Sequence, residues 1–378
     1  MKLIHTSDWH FGMPLGTDSY EACQRFFLEQ LYELIRKEGV GAVLCAGDIY
    51  DSSVTNAEAI GLFNEAATKL CAELGVKFIL IAGNHDSAAR LSACKELLKA
   101  SGMYVSGRLE RSVEPVMLDG GKVAVYSLPY FTRDEAAALY PEMKDKLRSQ
   151  EEAYQVVCEK LRQDMDPSCR NIVMSHAYIV NAELSDSDRS AKVGFASAVS
   201  KDVFRGFDYV ALGHIHKPQV IAPHIRYSGS PVKYSFGAEE RQEKGVVLID
   251  TDTMEQTFVP LRPLRDRRTV TGTYEELIAR QEELKGDYLR LEVTDRYAGL
   301  ELQADLKERF PYLLELVGKS VSAEEETSSL SVEELEKLSE TDIMMKFFAE
   351  SYQYEPTAEE IEAFERVLAE IEKEEELS

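Results

Sequence analysis

Positive charge is scarce in this chain. Its 378 residues carry 43 basic against 67 acidic side chains, a formal net charge of −24. A deficit of that size argues against nucleic-acid binding through bulk electrostatics. Long hydrophobic runs are missing too. No stretch approaches the roughly 20 apolar residues that span a bilayer, so no membrane association is expected. Met1–His10 carries neither an apolar h-region nor a cleavage site, so no signal peptide is expected. The six cysteines (Cys23, Cys45, Cys71, Cys94, Cys158 and Cys169) form no CxxC pair. They read as reduced, mostly core thiols of a cytoplasmic protein. No internal repeat occurs, and no GxxxxGK(S/T) phosphate loop, so any ATP dependence must come from a partner. The remaining composition is ordinary, with 44% hydrophobic residues. At this length that excludes wholesale disorder and allows two or three domains.

The charge is unevenly spread. Residues 321–378 hold 19 acidic and 4 basic side chains, a net of −15, which leaves −9 for the first 320. Together with the polar stretch from Ser320 to Ser329, that shift marks a linker and a separate tail. The first 130 residues read as alternating strands and helices. Lys2–Thr6, Ala42–Cys45 and Lys77–Ala82 are apolar strands. Residues 19–38 and 56–74 have a helical period, the first with Phe26, Phe27, Leu31, Leu34 and Ile35 on one side. Continuous apolar strands between helices imply a sheet buried on both faces. Further strands are expected at Asn171–Met174 and Asp208–Leu212, with 134–165 helical and 181–200 a polar loop. Beyond 260 the pattern becomes a small α+β domain: helices at 274–285 and 299–309, strands around Leu289–Val293 and 312–317. The boundaries expected are 1–260, 261–320, a linker at 321–332 and a helical tail at 333–378.

Five segments place metal-ligand residue types just beyond a predicted strand. They carry Asp8 and His10; Asp48 after Gly47; Asn84, His85 and Asp86 after Gly83; His176; and His214 and His216 after Gly213. Ligands of α/β sheets bind at the carboxyl ends of strands, so segments far apart in sequence can share one site. Taken singly, a histidine at a strand end reads as a hydrogen-bonded structural residue, and Gly-Asp as a turn. The joint pattern outweighs those readings. Of seven histidines, five fall at these ends. His5 and His224 do not, and read as a strand and a loop residue. Two carboxylates, an amide oxygen and several imidazoles suit divalent ions such as Mn²⁺, Fe²⁺ or Zn²⁺. They are too many for one open catalytic ion. Two ions about 3.5–4 Å apart, bridged by a carboxylate, would use them all. Such a pair activates water at neutral pH and clamps the oxygens of an in-line phosphoryl displacement.

The order Asp-x-His, Gly-Asp, Gly-Asn-His-Asp, His, Gly-His-x-His resembles the calcineurin-like metallophosphoesterases. The segments His5–His10, Gly47–Asp51, Phe207–Gln219 and Tyr227–Pro231 resemble, more narrowly, the SbcD family of bacterial nuclease subunits. The resemblance implies an α/β/β/α sandwich with a small α+β cap domain and a C-terminal helical tail. It implies that Asp8, His10, Asp48 and His216 hold a first ion. Asp48, Asn84, His176 and His214 would hold a second, with Asp48 bridging, and the ions would be Mn²⁺. His85 would be the non-ligand histidine that assists the leaving 3′-oxygen, and Asp86 would orient it. Some relatives have a histidine where Asp51 stands, and that role is not carried over. Many members have a glutamate where Ala238 stands; here Glu239 and Glu240 follow at once.

The implied activity is that of a two-metal DNA nuclease, a 3′–5′ exonuclease on duplex ends and an endonuclease on single strands or hairpins. A phosphatase or cyclic-nucleotide phosphodiesterase would share the chemistry, but the small domain and tail argue against it. A non-catalytic scaffold is disfavoured by the complete ligand set. Arg262, Arg265, Arg267 and Arg268 form the densest basic cluster, either a DNA contact or a solvated connector, with Lys192, Lys201 and Lys217 weaker candidates. In the tail, Ile343, Met344, Phe347 and Phe348, then Ile361, Phe364 and Leu368, recur at helical spacing. They form either a hairpin on the chain's own core or a helix-in-groove docking face. The resemblance implies the second, with the coiled coil of an SbcC-type ATPase as partner, and homodimerisation.

Overall fold

The computed structural model describes residues 1–16, 18–188, 198–319 and 356–375, together with 339, 341, 342, 344, 345 and 348. The chain divides into two compact units, Met1–Arg267 and Arg268–Ser378.

In the first unit, strands β1 (Lys2–Thr6), β2 (Val40–Ala46), β3 (Lys77–Ile81) and β4 (Met103–Ser106) are parallel neighbours. Helix α1 (Glu21–Glu38) connects the first two, and α2 (Ala57–Thr68) follows β2. A second sheet is built around β5 (Val116–Leu118), β6 (Val123–Leu128), β7 (Arg170–His176), β8 (Tyr209–Gly213), β9 (Gln219–Ala222) and β10 (Ile225–Tyr227). Within it β6, β7, β8 and β10 run parallel. Finally β11 (Gly245–Asp250) and β12 (Gln256–Pro260) return to the first sheet, antiparallel on the outer side of β1.

The layering follows from period-two side-chain alternation in strands that are apolar on both faces. Ala42, Leu44, Ala46, Ile79 and Ile81 of the first sheet meet Val123, Val125, Ile172, Met174 and Ala211 of the second. The intervening Val43, Cys45, Phe78 and Leu80 face the opposite way, onto Phe27, Leu31 and Ile35 of α1 and Leu62 and Ala66 of α2. The second sheet is covered likewise by Ala153, Tyr154, Val157 and Leu161 of a helix at Gln150–Asp164. The result is the α/β/β/α sandwich expected. His5, read as a strand residue, stitches the sheets together: its Nε2–H donates to the Leu212 carbonyl (3.1 Å) and its Nδ1 accepts from the Tyr209 hydroxyl (2.8 Å).

The helical stretch expected at 134–165 is broken into Arg133–Leu139, a 3-10 turn at Pro141–Lys146, and Gln150–Asp164. Two capping boxes, Thr132 with Glu135 and Ser149 with Glu152, start the separate helices, and Pro141 ends the continuity.

The second unit has its own core. A three-stranded sheet (Arg267–Gly272, Tyr288–Val293, Leu313–Val317) packs Leu289, Leu291 and Val293 against Leu302, Leu306 and Phe310, part of them from the helix Leu300–Arg309. A final helix, Ala358–Glu375, presents Ile361, Phe364 and Leu368 as half-buried positions between exposed ones. Met344 is buried and Phe348 half-buried, whereas Ile343, Phe347, the linker 321–332 and Lys192 lie outside the described residues.

Candidate metal centre

The carboxyl ends of β1, β2, β3, β7 and β8 deliver their side chains to one place. Asp8, His10 and His216 have ligand atoms within 4.8 Å of one another, and so do Asp48, His176 and His214. Asn84 joins the second group, its Oδ1 lying 3.1 Å from His176 Nε2 and 2.9 Å from His214 Nδ1. Asp48 Oδ2 faces both groups, 3.3 Å from His176 Nε2 and 3.8 Å from His10 Nε2. That is the position a shared carboxylate would take.

The backbone is bent to achieve this. Asp8, His10, Asp48 and His214 all have positive φ, at 54°, 45°, 50° and 98°. Such conformations cost non-glycine residues about 1–3 kcal/mol each and persist where the surroundings enforce them. Gly47 also needs its φ of 92°, and a side chain there or at Gly83 would run into His176 or Asp48 respectively.

The donor set fits divalent cations. His176 donates Nδ1–H to the Ala46 carbonyl (2.8 Å), so its Nε2 points inward, 3.3 Å from His214 Nδ1. His10 and His216 face each other through their Nε2 atoms at 3.1 Å. Burial pushes His214 down to about 3 and His216 well below the usual imidazole range, so both are neutral donors. Burial opposes a proton on His10 and His176 as well. Even so, Asp51 and Asp48 push His10 up to about 8, and Asp48 and Asp8 push His176 up to about 9. Burial disfavours the Asp48 carboxylate, yet His176 and His10 hold it well below its usual range. The imidazoles are answering surplus negative charge that a divalent cation would answer better.

His85 sits half-buried at the rim. Its backbone N–H donates to Asp48 Oδ1 (3.0 Å), and its ring Nδ1–H donates to the Asp51 carbonyl (2.7 Å), leaving Nε2 without a hydrogen-bond partner among the described residues. The Asp51 carboxylate lies 3.4 Å from His10 Nδ1. His10, Asp51 and His85 thus form a third close group, which the sequence did not suggest.

Two expectations need correction. Asp86 does not orient His85: its carboxylate accepts from the backbone N–H groups of Ile49, Tyr50 and Gly83 and ties the loop after β2 to the loop after β3. Arg267 is no DNA contact. It is buried, with its guanidinium 4.5 Å from the Phe236 ring centre and bonded to the Tyr20 hydroxyl. Of the other connector arginines, Arg268 pairs with Glu283 (2.7 Å), Arg262 is exposed, and Arg265 is half-buried. Lys217 pairs with Glu183.

Sequence reasoning missed the supports of His216. Ser187, Asp188 and Lys244 bond to it and Glu239 bonds to Ser187, all in stretches that showed no ligand pattern. The fully buried Glu239 was the one hint, standing beside the position where a glutamate was sought.

Residues 1–218 match the family model of the calcineurin-like phosphoesterases. Residues 258–352 match a model described as a Type 5 capsule protein repressor C-terminal domain. A curated relative, the D component of the SbcCD nuclease of Staphylococcus epidermidis, is 33% identical over 323 residues, 84% of this chain and 85% of that one. Among solved structures, a dimetal phosphatase from Danio rerio is 11% identical with a TM-score of 0.40, covering 66% of this chain and 91% of its own. The phosphoesterase Yfce from E. coli is 14% identical with a TM-score of 0.28, covering 69% of this chain and 100% of its own. Neither of these two structural likenesses is close enough to carry weight.

Proposed function

The chain belongs to the calcineurin-like phosphoesterases and, within them, to the SbcD family, and we propose that it is the nuclease subunit of an SbcCD-type complex, hydrolysing DNA phosphodiester bonds. The observation that carries this reading is the convergence of seven donors from five strand ends into two groups that share Asp48. The ions held there, which we propose to be Mn²⁺, would supply an activated water and neutralise charge on the phosphodiester. Asp8, His10 and His216 would hold one of them, and Asn84, His176 and His214 the other, with Asp48 between.

The chain's own residues do the rest. The Asp51 carbonyl fixes His85 so that Nε2 points away from its anchor and is available to the leaving 3′-oxygen. Asp48 holds the His85 backbone, so the same carboxylate that faces the ions also places the proton donor. Cation charge in the site inverts the local sign, so a phosphodiester can approach an acidic protein. Phosphate contacts would position DNA without reading its sequence. We further propose 3′–5′ exonuclease action on duplex ends and endonuclease action on single strands and hairpins. Docking of the tail on a coiled-coil ATPase, a homodimer, and a cytoplasmic location on the nucleoid complete the proposal.

The test is a Mn²⁺-dependent assay on blunt duplex and hairpin DNA beside a small phosphoester. Cleavage of DNA is expected, and His85→Ala should lower kcat by about 10²–10⁴-fold with metal content unchanged. Protein that hydrolyses the small ester and never DNA, alone or with its partner, would overturn the reading.

A further inference from the structure

His216 is held through both its backbone and its ring. Its backbone N–H donates to Asp188 Oδ1 (3.0 Å), and its carbonyl accepts from Lys244 Nζ (2.7 Å) and from Ser230 N–H (3.2 Å). Its ring Nε2 faces His10, and its ring Nδ1 lies 2.7 Å from Ser187 Oγ. Lys244 and Glu239 are a buried ion pair at 2.6 Å, 5% and 0% exposed. Glu239 Oε2 also accepts from Ser235 N–H (2.9 Å), Ser235 Oγ (2.6 Å) and Ser187 Oγ (2.8 Å).

Counting protons along this row decides the state of the imidazole. A carboxylate paired with lysine only accepts hydrogen bonds, so Ser187 spends its single hydroxyl proton on Glu239. Toward His216, the serine oxygen can then only accept. Nδ1 must carry the hydrogen, and Nε2 is left with a bare lone pair aimed into the site. We propose that Glu239, paired with Lys244 and acting through Ser187, is a positioning residue that fixes the ring tautomer and orientation of His216 for metal binding. The proposal rests on the metal-centre reading above and goes beyond it in giving a role to residues that touch neither substrate nor ion. Lys244 serves twice, since it balances Glu239 and also holds the His216 carbonyl. By contrast, His176 has its ring set by a backbone carbonyl, so its tautomer needs no side chain. Outer partners of ligating histidines typically matter by about 10–100-fold in metal affinity.

The experiment has two readouts. The first is ¹⁵N NMR of the imidazoles in metal-free protein, with His216 assigned by difference against His216→Gln. Wild type should show a single form protonated on Nδ1, and Ser187→Ala should show a mixture. The second is Mn²⁺ binding by calorimetry. Ser187→Ala leaves the Glu239–Lys244 pair intact, so a purely structural role for that pair predicts no change. The proposal predicts that one of two ions binds about 10–100-fold more weakly while the other is unaffected, and that Ser187→Thr restores it. Glu239→Gln combined with Lys244→Met removes both charges without leaving one buried alone, and should weaken the same ion. Wild-type His216 protonated on Nε2, or wild-type affinity in Ser187→Ala, would overturn the proposal. Protein that binds both ions tightly yet leaves DNA intact would instead overturn the nuclease reading and leave this one standing.

Discussion

His5 and His216 are both buried histidines with depressed proton affinity, and their partners separate their tasks. His5 bonds to Tyr209 and Leu212, one on each ring nitrogen, and has no lone pair left for an ion. Its burial pushes it down to about 3. The unfolded chain, with an ordinary imidazole value near 6.5, therefore takes up the proton first as pH falls. Stability from His5 is fully present above about pH 6.5 and declines below it, by up to about 1.4 kcal/mol per pH unit until the folded value is reached. Urea unfolding at pH 7, 6 and 5 should show that slope in wild type and a shallower one in His5→Asn. Parallel slopes would contradict it. At this scale the convergence of Asp8, His10, Asp48, Asn84, His176, His214 and His216, the proposed ligands, was legible because residue type and position after an apolar run suffice to mark them. The partners of Asp86 and Glu239 were not. Which N–H a carboxylate accepts depends on how two distant loops cross, and no local period records that.

Strand ends, more than strands, make the site. The apolar runs Lys2–Thr6, Lys77–Ala82 and Asp208–Leu212 read directly as strands because both faces are buried and no alternation confuses them. The helix region 134–165 was over-read, since Pro141 and two capping boxes interrupt a pattern whose apolar content alone looks continuous. The inter-sheet layer sets how accurately the ends meet. Leu44 is fully buried there, four residues before Asp48. Leu44→Ala should cost about 2–5 kcal/mol in urea unfolding of the full chain. A loss below about 1 kcal/mol would mean that this layer is not close-packed.

At the scale of the whole molecule, the net charge of −24 divides into separate parts, with −15 in residues 321–378. Several of the remaining carboxylates, Asp8, Asp48, Asp86 and Glu239, are buried in or behind the candidate metal centre. Averaging these parts made the chain look hostile to DNA. Each unit has its own hydrophobic core, so the tail should be separable from the chemistry. Deleting 333–378 should abolish capture of a coiled-coil ATPase partner and leave Mn²⁺ affinity unchanged. Loss of metal binding in that truncation would show the tail to be part of the fold.

The proposed chemistry requires two ions sharing Asp48. Electron paramagnetic resonance of the Mn²⁺-loaded protein tests this most directly. The account predicts the spectrum of an exchange-coupled pair, reduced in Asp48→Asn to uncoupled or single-ion signals; uncoupled or single-ion signals in the wild-type protein would contradict it.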